Sequence, residues 1–183
     1  MYLRAPLKDK VIYVDNGVVL AANIINISEG GLLVNNMPRY PMSSVVPFMI
    51  ALPRVVEISQ LSDEEILYAE TITSGVDVVR ASGRMVRGED VVDELEMVFR
   101  CAGIEFVDLE QETVSAIENY VKITARNFAY ALRSFNEEIG NGSNPDGINM
   151  VRKISALLGY NPNQKIAVLR NLISKDYLGL ENL

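Results

Sequence analysis

Up to about Phe106 the apolar residues of this chain come in short, β-branched runs separated by turn residues. Val11-Ile12-Tyr13-Val14 is closed by Asp15-Asn16-Gly17, a hairpin signal, because Asn and Gly both tolerate positive φ. Val18 to Ile25 returns, Gly31 to Val34 is a third strand, and Val45 to Leu52, between Pro41 and Pro53, is a fourth. Val76 to Val86 and Leu95 to Phe106 complete the set. Short strands at this spacing predict a sandwich or a barrel. Arg54 to Gly75 is too long and polar for a plain hairpin loop. Within it, Ser62 and Glu65 have capping-box spacing, which predicts a helical turn.

Beyond Phe106 the period changes. Val114, Val121, Phe128 and Phe135 recur every seven residues, so one apolar stripe runs along a helix of about 112–139, ending at Gly140. A linker over 140–146 follows, rich in Asn and Gly, then two short helices at about 146–158 and 162–175. Asn144-Pro145 and Asn161-Pro162 each read as an N-cap followed by Pro at the first helical position. Phe128, Leu132, Phe135 and Ile139 lie on one helical face, in the half expected to extend past the strands. Such a face has to be covered. The expected cover is the two C-terminal helices folding back, with a remaining interface that pairs two copies through the C-terminal helices or takes a protein partner.

Candidate chemistry concentrates at Asn26-Ile27-Ser28-Glu29-Gly30-Gly31. An Asn and a Ser offer donors and acceptors, and the glycines can take positive φ or bring bare backbone close to a ligand. Asn26-x-Ser28-x-x-Gly31 resembles the Asp/Asn-x-Ser-x-x-Gly signature of the PilZ domain, the bacterial receptor module for cyclic di-GMP. Arg4-Ala5-Pro6-Leu7 is similar to the end of the family's Arg-x-x-x-Arg motif and the Pro-containing segment that leads into its first strand. In that alignment Arg4 is the second arginine and the first would lie before Met1. In another, Arg4 and Lys8 are the pair. Pro47 to Pro53, Ala81 to Arg87 and Cys101 to Phe106 resemble the family's later strands, in order, so the resemblance covers roughly residues 4–121.

The resemblance implies a small, six-stranded antiparallel β-barrel over residues 1–121, followed by a long helix and a helical extension within 112–183. It implies a cyclic di-GMP receptor, with Arg4, Lys8, Asn26, Ser28, Gly30 and Gly31 as ligand-binding residues. Arg4 would act from a flexible N-terminal segment, whose ordering signals to a partner protein in motility, surface attachment or a related process. The alternative is a degenerate PilZ adaptor that works through protein contacts without the ligand.

Composition narrows the remaining classes. The 183 residues are 49% apolar, enough for a core. Histidine is absent, which removes the commonest general base and transition-metal ligand. Nothing nucleophilic stands beside a base, and the acidic residues fall in surface-like clusters, so neither an enzyme nor a metal or cofactor site is expected. The single cysteine, Cys101, fits a buried hydrophobe in a reducing cytoplasm. No apolar run is long enough to span a membrane. A net charge of −7 disfavours nucleic acid and anionic lipid. The first ten residues carry +2 against that background, from Arg4, Lys8 and Lys10 with Asp9, where an anionic ligand would need it.

Overall fold

A computed structural model describes residues 3–92, 98–140 and 144–180, without the side chains of residues 98 and 138–140. Its strands are β1 (Ala5–Pro6), β2 (Lys10–Asp15), β3 (Val18–Ser28), β4 (Gly31–Asn35), β5 (Val46–Val55), β6 (Thr73–Val92) and β7 (Val98–Val107). Its helices are α1 (Asp63–Tyr68), α2 (Gln111–Gly140), α3 (Pro145–Leu157) and α4 (Ile166–Gly179). The strands run in the order β1-β3-β2-β5-β6-β7-β4, and β4 also pairs with β3. That last pairing closes six strands into a ring, with β1 added outside it. This is the architecture the PilZ resemblance implied: an antiparallel barrel followed by helices.

The chain divides into two compact units, one of Met1–Pro53 with Val76–Val121, the other of Arg54–Gly75 with Lys122–Leu183. In the first, strict alternation along β2 buries Val11, Tyr13 and Asp15 and turns Lys10, Ile12 and Val14 outward. Tyr13 packs against Phe48 with ring centroids 5.7 Å apart. The hairpin at Asn16-Gly17 forms as predicted, with φ of 50° and 74°. Ile117, Tyr120 and Val121, on the first half of α2, are buried in this unit too.

The second unit has its own core. Phe128, Ala131 and Phe135 of α2 cluster with Val151, Ile154, Leu169, Ile173 and Leu180, and also with Ile58, Ile66 and Ile72 from the 54–75 connection. The C-terminal helices therefore do fold back on the apolar face. The connection supplies the rest of the cover, which the sequence pattern did not reveal. Phe128 and Phe135 are 3% and 1% exposed. This corrects the expectation of an interface on them: both are core residues, and Leu132 is partly buried against the same cluster. Ile139 lies outside the described side chains.

Ser62 caps α1 with the reciprocal bonds to Glu65, and Asn144 caps α3 with Pro145 at its start. Asn161-Pro162 does not start a helix. α4 begins at Ile166, after a turn in which Asn161 Oδ1 accepts the Asn163 N–H at 3.0 Å. Arg152 donates to the carbonyls of Pro162 and Gln164 and holds that turn.

Candidate functional site

The motif Asn26-x-Ser28-x-x-Gly31 is the β3–β4 hairpin. Ser28 and Gly31 are its closing pair, around a two-residue loop of Glu29 and Gly30. The Ser28 hydroxyl donates to the Gly31 carbonyl at 3.3 Å. Neither glycine uses positive φ; among the described glycines only Gly17 and Gly159 do. Gly31 answers a different need. A Cβ there would sit 2.0 Å from the carbonyl oxygen of Ile104, so β4 could not approach β7 with any other residue. The carbonyl of Gly30 accepts the Phe106 N–H at 2.9 Å.

A β-bulge sets the direction of Asn26. Ile24 pairs with Val34 and Asn26 with Leu33, so Ile25 is an extra residue in β3. The alternation resets there. Ile24 and Ile27 point into the core, while by alternation Asn26 and Ser28 take the opposite face, where Asn26 is half-buried and Ser28 is buried.

β1 brings the N-terminal cation to the same place. Ala5 pairs with Ile27 and Pro6 with Asn26, so the chain just before β1, at Arg4, leads toward Ser28. The expected flexible segment is tied down from Ala5 onward. Ala5 and Leu7 are buried, the Leu7 N–H reaches the Ile25 carbonyl at 3.3 Å, and the Tyr120 hydroxyl donates to the Pro6 carbonyl at 2.7 Å. Lys8 is exposed in the short stretch between β1 and β2. Arg4, Asn26, Ser28 and the hairpin glycines thus come together on one side of the barrel, while Lys8 sits at its margin outside any strand pairing.

Two features of the barrel escaped the sequence reading. Across the ring from Ser28 the pairing continues through Gly31 and Glu105 to Arg84, whose Nε lies 2.6 Å from Glu105 Oε2. Asp15, which closes the β2–β3 hairpin, is fully buried and organises the segment between β4 and β5. It accepts the Met42 and Ser43 N–H groups at 3.2 and 3.1 Å and lies 3.3 Å from Arg39 Nη2. Burial acts to raise its pKa, but those N–H groups, the Ser43 hydroxyl and Arg39 outweigh it and hold the carboxyl below its usual value. An Asp before Asn-Gly reads as a turn residue, so only the fold distinguishes this role.

From the same segment Tyr40 donates to Asp90 at 2.7 Å, and this bond, then burial, pushes its phenol up to about 12. Cys101 is pushed up by burial first and then by the charges of Glu89 and Asp90, which favours the neutral thiol over a nucleophilic thiolate. Among the described residues no cluster of three or more acidic or cysteine side chains could hold a metal. No described helix is long and apolar enough to cross a membrane.

No protein-family model matches the chain, and no curated protein does. Solved structures do. The inhibitor of motility MotI/DgrA of Bacillus subtilis is similar at 15% identity and a TM-score of 0.49, over 67% of this chain and 49% of that one. The PilZ domain of YcgR from Escherichia coli, solved with cyclic di-GMP, is similar at 13% identity and a TM-score of 0.42, over 76% and 95%. The PlzA protein of Borreliella burgdorferi, in complex with cyclic di-GMP, is similar at 8% identity and a TM-score of 0.41, over 77% and 53%. The chain matches about half the length of the first of these.

Proposed function

We propose that this protein is a cyclic di-GMP receptor of the PilZ type, and that the ligand lies on the outer face of the barrel at the β3–β4 hairpin. The observation that carries the reading is the β1–β3 register, Ala5 with Ile27 and Pro6 with Asn26, which leads Arg4, just before β1, toward Ser28, two residues along from the pair with Asn26. A guanidinium there can stack on a guanine and form paired hydrogen bonds to phosphate. The Asn26 carboxamide can donate to and accept from a guanine edge. The Ser28 hydroxyl already donates to Gly31, so its lone pairs are left to accept guanine N–H groups. Lys8 adds a charge at the margin.

Tyr120 of α2 holds Pro6, two residues after Arg4, which would grip the ligand. Occupancy at Arg4 would bear on that bond and so on the start of α2, which is a route to regulating a protein partner. The setting this role implies is the cytoplasm, and the role requires no catalysis and no cofactor.

Calorimetric titration with cyclic di-GMP tests the reading. Arg4→Ala should weaken binding by about tenfold or more, the loss of a charged hydrogen bond, and Ser28→Ala by less. Binding should weaken as salt rises. A wild-type protein that gives no heat at high micromolar ligand rules the receptor out.

One observation favours a second reading, an adaptor that keeps the fold without the ligand. Gly31 is demanded by its approach to Ile104, and Ser28 by the hairpin bond, so both motif residues have duties within the barrel itself. The same titration separates the two.

A further inference from the structure

Arg84 and Arg87 are three residues apart, so in a regular strand they would face opposite sides of the sheet. They do not. Met85 pairs with Ile104 and Arg87 with Gly103, which makes Val86 an extra residue in β6. This bulge returns Arg87 to the outer face that Arg84 already occupies. The row through Arg87 continues from Gly103 to Leu33 and on to Asn26 and Pro6. The row through Arg84 continues from Glu105 to Gly31 and on to Ser28.

The side chain of Arg87 follows its row. Its Cγ and Nε lie 2.9 and 3.0 Å from where a Cβ of Gly103 would be, so the arginine lies flat across β7 on ground that only a glycine leaves open. Arg87 is exposed and makes no ion pair among the described residues. Arg84 is neutralised by Glu105, yet the two side chains are 59% and 45% exposed, and such a pair is weak enough to yield to a phosphate.

We propose that Arg87, with Arg84 beside it, forms the far wall of the ligand face and binds a phosphate of a dianionic purine dinucleotide whose other end meets Asn26, Ser28 and Arg4. This rests on the receptor reading above. β3 and β6 are three strand spacings apart, about 14 Å, and the arginine stem narrows the gap. A ligand must be of dinucleotide size to touch both ends, which gives a reason for choosing a cyclic dinucleotide over a single nucleotide. Arg87 is then a specificity-determining residue supplied by a bulge rather than by the motif.

The test is titration of the full chain with cyclic di-GMP and, separately, with GMP. The variants are Arg87→Ala, Arg87→Lys and Gly103→Ala, with Arg133→Ala as a control that removes an arginine from the exposed pair with Glu137 on α2. Arg87→Ala should lose about tenfold or more in affinity for cyclic di-GMP and reduce its salt dependence, with little change for GMP. Arg87→Lys should recover part of the loss. Gly103→Ala should copy Arg87→Ala, since the methyl displaces the arginine stem. If wild type binds and Arg87→Ala binds as tightly as Arg133→Ala, the far wall is wrong and the receptor stands. If wild type does not bind, the receptor reading fails and this inference with it.

Discussion

The side-chain amide of Asn127 closes on the backbone of the connection before α1: its Oδ1 accepts the Ile58 N–H at 2.8 Å, and its Nδ2 donates to the Val56 carbonyl at 3.0 Å. Asn127 is fully buried, so both backbone groups depend on it. Asn127→Leu should cost about 1–3 kcal/mol for each group left unpaired. Hydrogen exchange at Ile58 reads the result directly. Unchanged protection there would show that the bond does not hold the connection in place.

Gly31→Ala should destabilise the barrel whether or not a ligand is bound, because the new methyl meets the Ile104 carbonyl. A loss of about 1–3 kcal/mol or more is expected from such overpacking, measured by urea unfolding. The consequence for binding studies is direct: reduced ligand affinity in this variant reports a disturbed hairpin, not a lost contact. A variant as stable as wild type would place β4 further from β7.

The Asp15 carboxyl has its pKa lowered by the Met42 and Ser43 N–H groups, the Ser43 hydroxyl and Arg39, which together outweigh its burial. A group lowered on folding contributes stability that is complete above its unfolded pKa and is lost as pH falls through its folded one. Its contribution should be constant from neutral pH to about pH 5 and decline below about pH 4. Asp15→Asn should be less stable than wild type at pH 7, and the difference should shrink toward pH 3. Urea midpoints at the two pH values check this; a constant difference would mean the charge is not what matters.

Phe135 is 1% exposed within the helical unit. Phe135→Ala should cost that unit about 3–5 kcal/mol. Removing residues 144–183 takes away Val151, Ile154, Leu169 and Ile173 from the same cluster. The shortened chain should associate or aggregate through the uncovered face, as sedimentation would show. A shortened chain that stays monomeric at high concentration would mean that Ile58, Ile66 and Ile72 suffice as cover.

What the sequence determined by itself is local. The hairpin at Asn16-Gly17, the capping box of Ser62 and Glu65, the Asn144 cap and the seven-residue stripe of α2 each depend on residues within a turn or two of one another. The same holds for the strand runs, whose alternation against water needs no distant partner. Asn161-Pro162 shows the boundary of this reasoning: its local signal matched a helix start, but Arg152, on the preceding helix, holds the stretch as a turn.

Only the tertiary structure decided which side chains share a face. A single extra residue inverts the alternation of everything after it, and the bulges at Ile25 and Val86 are visible only against the partner strands. So the motif around Asn26 and Ser28 was legible, whereas bringing Arg84 and Arg87 into line with it depends on a ring closed by residues far apart in sequence, and the approach of Arg4 depends on the pairing of β1 with β3. Gly31 belongs to the same class. Its need for a bare Cα comes from Ile104, and nothing within reach along the chain expresses that contact.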